Sequence, residues 1–97
     1  MSHHQPLAGR AGIVTGGALG IGGGTARRLA KDGASILIVD IVEDAAQRNA
    51  QRIVDAGGTA SYMTGDVAQE DVAKAMVERC VGEYGRLDIL IQNAYGG

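Results

Sequence analysis

The feature that most constrains this chain is a dense run of glycines at one place. Eight of its 16 glycines lie between Gly9 and Gly24, and the stretch from Thr15 to Gly22 reads TGGALGIG. A short apolar run precedes this stretch, and a helical pattern follows it. Glycines at a strand-to-helix turn let backbone N–H groups approach a phosphate held at the positive end of the helix. The pattern therefore favours an α/β chain with an anion-binding turn after its first strand.

Apolar runs of strand length alternate with helical patterns along the rest of the chain. The runs cover residues 12–15, 35–39, 59–63 and 87–91, which are the four predicted strands. Strands and helices in the order βαβαβαβ, joined by right-handed crossovers, form a doubly wound parallel sheet with helices on both faces. The predicted strand order is 3-2-1-4.

Each predicted helix carries residues at four-residue spacing, which is typical of an amphipathic helix. The first helix stops at Gly33, the second runs from about Glu43 to Ala56, and the third holds the only cysteine. The spaced residues are Ile21, Thr25 and Leu29 in the first, Ala46, Ala50 and Val54 in the second, and Val72, Met76, Cys80 and Tyr84 in the third. The third set is interpreted as a core face, so Cys80 is predicted to be a buried apolar residue and not a nucleophile.

Composition excludes several kinds of partner. Nine Lys and Arg against eleven Asp and Glu give a net charge of -2 without a basic block, so neither a nucleic acid nor an anionic membrane is expected. The N-terminus has no hydrophobic signal region and no apolar run is long enough to span a bilayer, which predicts a cytoplasmic protein. His3 and His4 lack further ligands, and no metal site is expected.

An acidic residue follows the second predicted strand. Asp40 comes eighteen residues after Gly22, at the carboxyl end of that strand, where a carboxylate can accept hydrogen bonds from the adenosine ribose hydroxyls of a dinucleotide. The common dinucleotide pattern G-x-G-x-x-G is incomplete, because Thr25 stands where Gly20 and Gly22 would require a third small residue. The combination of turn and acid favours cofactor binding over a merely structural turn.

The string TGGALGIGGGTARRLAKDGASILIVD resembles the N-terminal half of the classical short-chain dehydrogenases/reductases, whose loop is Thr-Gly-x-x-x-Gly-x-Gly. The resemblance runs from Leu7 to Gly97 and implies that residues 1–97 are the N-terminal part of a single Rossmann domain, with residues 1–6 disordered. It implies an NAD-dependent oxidoreductase that acts on a small alcohol or ketone and assembles as a homo-oligomer. The cofactor-binding positions that it implies are Gly16, Gly20, Ile21 and Gly22 in the pyrophosphate turn, Asp40 at the ribose, Ile41, Asp66 and Val67 at the adenine, and Asn93 and Ala94 after the fourth strand.

Two positions depart from the family's Asn-Asn-Ala-Gly motif after the fourth strand: Gln92 replaces the first Asn, and Tyr95 replaces the Gly. A second interpretation stays open for Asp66, because an Asp before Val67-Ala68 is also a good N-cap for the third helix. The dinucleotide is expected to be NAD and not NADP, since Asp40 repels a 2′-phosphate and no basic residue stands at Gly17, Ala18, Leu19 or Ile41.

No catalytic residue can be assigned. The family uses a Tyr-x-x-x-Lys pair, and none of Tyr62, Tyr84 and Tyr95 has a lysine four residues later. We therefore expect the 97-residue chain to be the cofactor-holding half of an enzyme, inactive by itself and prone to self-association. The alternatives are a non-catalytic nucleotide-binding module and an S-adenosylmethionine-dependent methyltransferase, whose first motif has an acid where Thr15 stands.

Overall fold

The computed structural model describes residues 4–93, which form a four-stranded parallel sheet with helices on both faces. The strands are β1 (Ala11–Thr15), β2 (Ser35–Asp40), β3 (Thr59–Thr64) and β4 (Ile89–Gln92), and the helices are α1 (Gly20–Lys31), α2 (Glu43–Asp55) and α3 (Glu70–Tyr84). The strand order is β3-β2-β1-β4, and all three neighbouring pairs are parallel. The predicted fold class and strand order are confirmed.

The two faces of the sheet carry different helices, because side chains alternate along each strand. On one face Ile36 and Ile38 of β2 pack in a buried cluster with small side chains of α1 and α2. On the other face Leu37 packs with Met76 and Cys80 of α3. Strand β2 is therefore buried on both sides, as an uninterrupted apolar run in a parallel sheet predicts.

Helix α1 lies against the sheet through its smallest residues. Its buried positions are Gly22, Gly23, Ala26 and Ala30, whereas Ile21 is 82% exposed. The spaced residues Ile21, Thr25 and Leu29 are therefore not the buried face, although Leu29 is partly buried and packs against the core cluster. The helix begins directly at the glycine turn and lies so close to it that a Cβ at Gly23 would be 3.0 Å from the Ala18 carbonyl oxygen. The fully buried positions of this helix are accordingly glycines and alanines.

The other two helices follow the predicted patterns more closely. In α2, Ala46 and Ala50 are buried as expected, but Val54 is 46% exposed and the polar Asn49 is buried in its place. In α3, Met76 and Cys80 are buried, and burial raises the pKa of the Cys80 thiol. The predicted core face of α3 is confirmed.

The last strand begins later than the apolar run at residues 87–91 suggests. Asp88 precedes β4, and its backbone N–H donates to the Ala11 carbonyl oxygen at 2.8 Å while its Oδ2 accepts from the Ala11 N–H at 2.9 Å. Arg86 donates to the same carboxylate through Nε at 2.7 Å and Nη2 at 2.8 Å. The Asp88 side chain thus joins the starts of β1 and β4 before the regular ladder begins.

At the N-terminus, the Leu7 N–H donates to the Asp32 carbonyl oxygen at 2.8 Å. The expectation that residues 1–6 are disordered stays a prediction, because residues 1–3 lie outside the described part. Between residues 4 and 93, no helix combines the length and the apolar character that crossing a membrane requires. The same residues contain no group of three or more His, Cys, Asp or Glu side chains that could hold a metal ion.

Candidate functional site

The predicted site residues that the structure describes lie at or beyond the carboxyl edge of the sheet. The parallel register pairs Thr15 with Val39 and with Gln92, and it pairs Asp40 with Thr64. The segments that follow all four strands therefore begin at one edge. Open α/β sheets bind their ligands in the crevice outside this edge.

The turn after β1 is built from backbone that only glycine adopts easily. Gly16 has φ +64° and Gly20 has φ +59°, both in the left-handed region. Gly22 is required for a different reason, which is space: a Cβ there would lie 2.1 Å from the Gly16 carbonyl oxygen and 2.5 Å from Nδ2 of Asn93. These three glycines allow the turn to pack closely against the start of α1. At their positions the turn presents backbone and no side chain.

The N-terminus of α1 is electrostatically unlike those of the other helices. Its N-cap residue Leu19 makes no side-chain hydrogen bond, as is also true of the N-cap residues of α2 and α3, but its first turn contains no acidic residue. The first turns of α2 and α3 each contain two acids, which are Glu43 and Asp44 in one and Glu70 and Asp71 in the other. The first N–H groups of α1 thus have neither a side-chain cap nor a compensating carboxylate, which is the condition for attracting an anion.

Asp40 is held by backbone donors from two sides of the site. Its Oδ2 accepts from the Ala18 N–H in the glycine turn at 3.1 Å, and its Oδ1 accepts from the Val42 N–H at 3.1 Å. Its backbone carbonyl oxygen accepts from the Gly65 N–H after β3 at 3.1 Å. Ile41, the next residue, is 63% exposed at the same edge. The sequence predicted that acid and glycine turn lie together, and they are in direct contact.

Asp66 and Val67 follow Gly65, next to Asp40. The Asp66 Oδ1 accepts from the Ala68 N–H at 2.9 Å, and its carbonyl oxygen accepts from the Gln69 N–H at 3.0 Å. The N-cap residue of α3 is Gln69. The interpretation of Asp66 as that N-cap is therefore wrong, because its short side chain closes a local turn three residues before the N-cap residue.

Asn93 ends the described part of the site. Its backbone N–H donates to the Thr15 carbonyl oxygen at 3.2 Å and to Thr15 Oγ1 at 3.1 Å. Thr15 is fully buried and also donates from Oγ1 to the Ile91 carbonyl oxygen at 3.4 Å, so its hydroxyl fixes where the chain leaves β4. The predicted site residue Ala94, and the departing residue Tyr95, lie outside the described residues.

Sequence reasoning missed two polar residues that organise this edge. Thr15 belongs to the quoted motif. A polar residue at the end of a buried strand is a signal from which its hydrogen bonds at this edge could have been predicted. Asn49 lies on α2, and its Nδ2 donates to the carbonyl oxygens of Gly17 at 2.7 Å and Gly23 at 3.3 Å. No local pattern marks Asn49, because its partners in the turn and in α1 are 32 and 26 residues away.

Neither described tyrosine has the surroundings of a proton donor for catalysis. Tyr84 lies at the end of α3, where its hydroxyl bonds with Ser61 Oγ at 2.7 Å and donates to the Ile36 carbonyl oxygen at 3.2 Å. Burial raises the pKa of Tyr84, whereas acid–base work near neutral pH needs a lowered one. Tyr62 is a residue of β3 that packs against the cluster under α1 and α2.

The glycine turn, the acid at the end of β2 and the parallel sheet are together typical of the dinucleotide-binding class of α/β proteins. The model of the short chain dehydrogenase family matches residues 10–96. The chain belongs to this family, whose members are oxidoreductases that bind a nicotinamide dinucleotide. Family membership argues against the methyltransferase alternative.

Individual relatives agree with this assignment. The chain is 43% identical to "Tropinone reductase-like 2" of Erythroxylum coca over 91 residues, covering 94% of this chain and 32% of that protein. It is 50% identical to an uncharacterized oxidoreductase of Mycobacterium tuberculosis over 87 residues, covering 88% of this chain and 35% of the relative. A crystal structure of a hydroxysteroid dehydrogenase from Escherichia coli superposes with a TM-score of 0.91 at 34% identity, covering 99% of this chain and 41% of that one. The chain thus spans about a third of the length of the curated relatives it matches.

Proposed function

We propose that this chain is the NAD(H)-binding half of an oxidoreductase that transfers hydride between the nicotinamide and an alcohol or ketone. The observation that carries the proposal is the contact between Asp40 and the glycine turn. That contact brings the carboxylate at the end of β2 to the bare backbone after β1, and dinucleotide-binding sheets use these two features together.

The residues present fit a dinucleotide. The turn formed by Gly16, Gly20 and Gly22 exposes backbone in place of side chains, and the start of α1 has uncapped N–H groups for a pyrophosphate. Each oxygen of Asp40 accepts one hydrogen bond from the protein, so each retains acceptor capacity for a ribose hydroxyl. When bound, the nicotinamide donates or accepts the hydride, while this part of the chain binds and orients the cofactor.

Charge favours NAD over NADP at this site. At an effective dielectric of 20, two like unit charges about 8 Å apart repel by about 2 kcal/mol, which is more than tenfold in affinity. A 2′-phosphate near Asp40 meets such a repulsion, and the neighbouring Ala18, Leu19 and Ile41 supply no cation to offset it. We therefore propose NAD(H) as the cofactor.

A titration with matched variants tests the proposal. Calorimetric titration of the complete enzyme with NADH and with NADPH should give tighter binding of NADH by roughly tenfold or more. Asp40→Asn removes the negative charge and should shrink this preference mainly by strengthening NADPH binding. Asp44→Asn makes the same change of charge on the exposed first turn of α2 and should leave the preference nearly unchanged. Tighter binding of NADPH by the unmodified enzyme would refute the cofactor assignment.

A further inference from the structure

Asn49 is one of two buried polar residues among residues 4–93, and it lies in the middle of α2. Its side chain is only 2% exposed and faces the glycine turn and α1, where its hydrogen-bond partners lie. All of its polar atoms have partners: Nδ2 donates to the carbonyl oxygens of Gly17 and Gly23, and Oδ1 accepts from Arg27 Nη1 at 2.9 Å. A buried amide satisfied in this way specifies the positions of its partners, since losing one would leave a polar group without a bond.

The shortest of these bonds ends on a particular peptide group. The Gly17 carbonyl accepts from Asn49 at 2.7 Å, and the Ala18 N–H donates to Asp40 Oδ2 at 3.1 Å. The Gly17 carbonyl and the Ala18 N–H belong to one planar peptide group and point in opposite directions. Asn49 and Asp40 therefore hold the same peptide plane from its two sides.

We propose that Asn49 is a positioning residue for dinucleotide recognition, which acts on Asp40 through the Gly17–Ala18 peptide. The proposal rests on the function proposed above, in which Asp40 accepts hydrogen bonds from the adenosine ribose. Asn49 fixes the direction of the Gly17 carbonyl and thereby the direction of the Ala18 N–H. That N–H sets the orientation of the Asp40 carboxylate. Asn49 therefore determines how well the site distinguishes a ribose with a free 2′-hydroxyl from one whose 2′-hydroxyl is phosphorylated or absent.

The alternative orientation of this peptide is electrostatically unfavourable for Asp40. If the plane turned over, the Gly17 carbonyl oxygen would face the carboxylate in place of the Ala18 N–H. The carboxylate would then lose a charge-assisted hydrogen bond and meet a like partial charge, so it would rotate away. Glycine at position 17 opposes such a rotation less than other residues do, so the hydrogen bond from Asn49 adds a restraint that the backbone itself does not supply.

A pair of variants separates this role from simple support of the fold. Asn49→Asp keeps the size of the side chain and can strengthen the contact with Arg27, but it places an oxygen against the Gly17 carbonyl and so breaks the hold on the peptide. Arg27→Met removes the bond to Asn49 Oδ1 and leaves the bond from Nδ2 to Gly17. The two variants thus change opposite ends of the same amide.

The measurement is the affinity of the complete enzyme for ADP-ribose and for its 2′-deoxy analogue, together with the ratio of NADH to NADPH affinity. In Asn49→Asp the advantage of ADP-ribose over the deoxy analogue should fall by roughly tenfold or more, the scale of one charge-assisted hydrogen bond, while binding of the deoxy analogue changes little. The NADH preference should fall in parallel. In Arg27→Met both ratios should stay close to those of the unmodified enzyme, whatever the loss in melting temperature.

The outcomes distinguish this inference from the proposed function. An unmodified enzyme that binds NADH more tightly, with both ratios unchanged in Asn49→Asp, overturns the inference alone. Equal losses in Asn49→Asp and Arg27→Met also overturn it, because a general loosening between α1 and α2 would then be the cause. An unmodified enzyme that prefers NADPH overturns the proposed function itself. If Asn49→Asp fails to fold, Asn49→Ser is measured in the same way: collapse of both ratios supports the inference and retention refutes it.

Discussion

Replacing Gly22 by alanine tests whether the turn after β1 depends on close contact between backbone segments. Gly22 does not have a positive φ, so alanine is not excluded by backbone conformation. The obstacle is space, because the new Cβ would lie 2.1 Å from the Gly16 carbonyl oxygen and 2.5 Å from Asn93 Nδ2. The Asn93 side chain can move aside, whereas the Gly16 carbonyl is part of the turn itself.

The size of the effect follows from these distances. A Cβ is essentially never found closer than 3.0 Å to another heavy atom, so the Gly16 carbonyl must retreat by about 1 Å. Overpacking of this kind costs about 1–3 kcal/mol of unfolding free energy. A displacement of about 1 Å in a binding element can also cost on the order of a hundredfold in function, so NADH binding should weaken more than stability alone explains.

The matched control lies two residues further along α1. A Cβ at Gly24 would meet only Arg27 Nη2, at 3.8 Å, so alanine fits there without any movement. Because glycine inside a helix is less favourable than alanine by about 0.5–1 kcal/mol, Gly24→Ala should stabilise the protein.

Thermal melting and NADH titration of the complete enzyme measure both variants. Gly22→Ala should melt at a lower temperature than the unmodified enzyme and bind NADH weakly, and Gly24→Ala should melt at the same or a higher temperature and bind normally. If Gly22→Ala melted and bound like the unmodified enzyme, the glycine turn would have more room than these distances allow, and the argument would fail.

Three further predictions concern other parts of the molecule. The bonds from Arg86 lower the pKa of Asp88 to about 2, so its contribution to stability is present above pH 4 and is lost as the pH falls toward 2; Asp88→Asn should reduce the drop in denaturation midpoint between pH 5 and pH 2.5. The isolated 97-residue chain should show no alcohol-dependent NADH formation in an absorbance assay, because Tyr84 has a raised pKa and its hydroxyl already bonds with Ser61; substrate-dependent turnover would contradict this. The isolated chain should also self-associate, since β4 is a sheet edge with Leu90 44% exposed, and a monodisperse monomer in light scattering would count against this expectation.

The fold could be predicted because its signals are local and repeated. Residues 36–39 form an uninterrupted apolar run, and such a run between two helical patterns is typical of an inner strand of a parallel sheet. The buried face of α1 was not predictable from the same kind of pattern. It consists of glycines and alanines, which carry little hydrophobic signal, while the exposed Ile21 carries a strong one.

The candidate site was predictable only where a motif marks it. The glycine turn and Asp40 are recognisable because their spacing along the chain reflects one strand, one helix and a second strand. Asn49 belongs to the same site but reaches it across the gap between α2 and α1, so its role depends on a crossing of helices that no short pattern records. Asp66 shows the opposite error. The local sequence favoured it as the N-cap of α3, but the N-cap is Gln69, and Asp66 closes a turn that begins three residues before it.

Asp88 and Asp40 lie at opposite edges of the sheet, and each side chain accepts a hydrogen bond from a backbone N–H, but in the described part of the chain only one of the two carboxylates is paired with a cation. Asp88 and Asp40 each accept a hydrogen bond from a backbone N–H in or near β1. Asp88 accepts from Ala11, the first residue of the strand, and Asp40 accepts from Ala18, after the end of the strand. Asp88 is also paired with Arg86 and Arg10, which neutralise its charge, whereas the four ion pairs among residues 4–93 do not include Asp40. Neutral backbone donors fix the position of the Asp40 carboxylate without cancelling its charge. That charge therefore remains at the carboxyl edge. In the function proposed above the carboxylate accepts hydrogen bonds from the ribose hydroxyls and repels a 2′-phosphate, so a cation placed beside it should weaken the proposed preference for NAD over NADP.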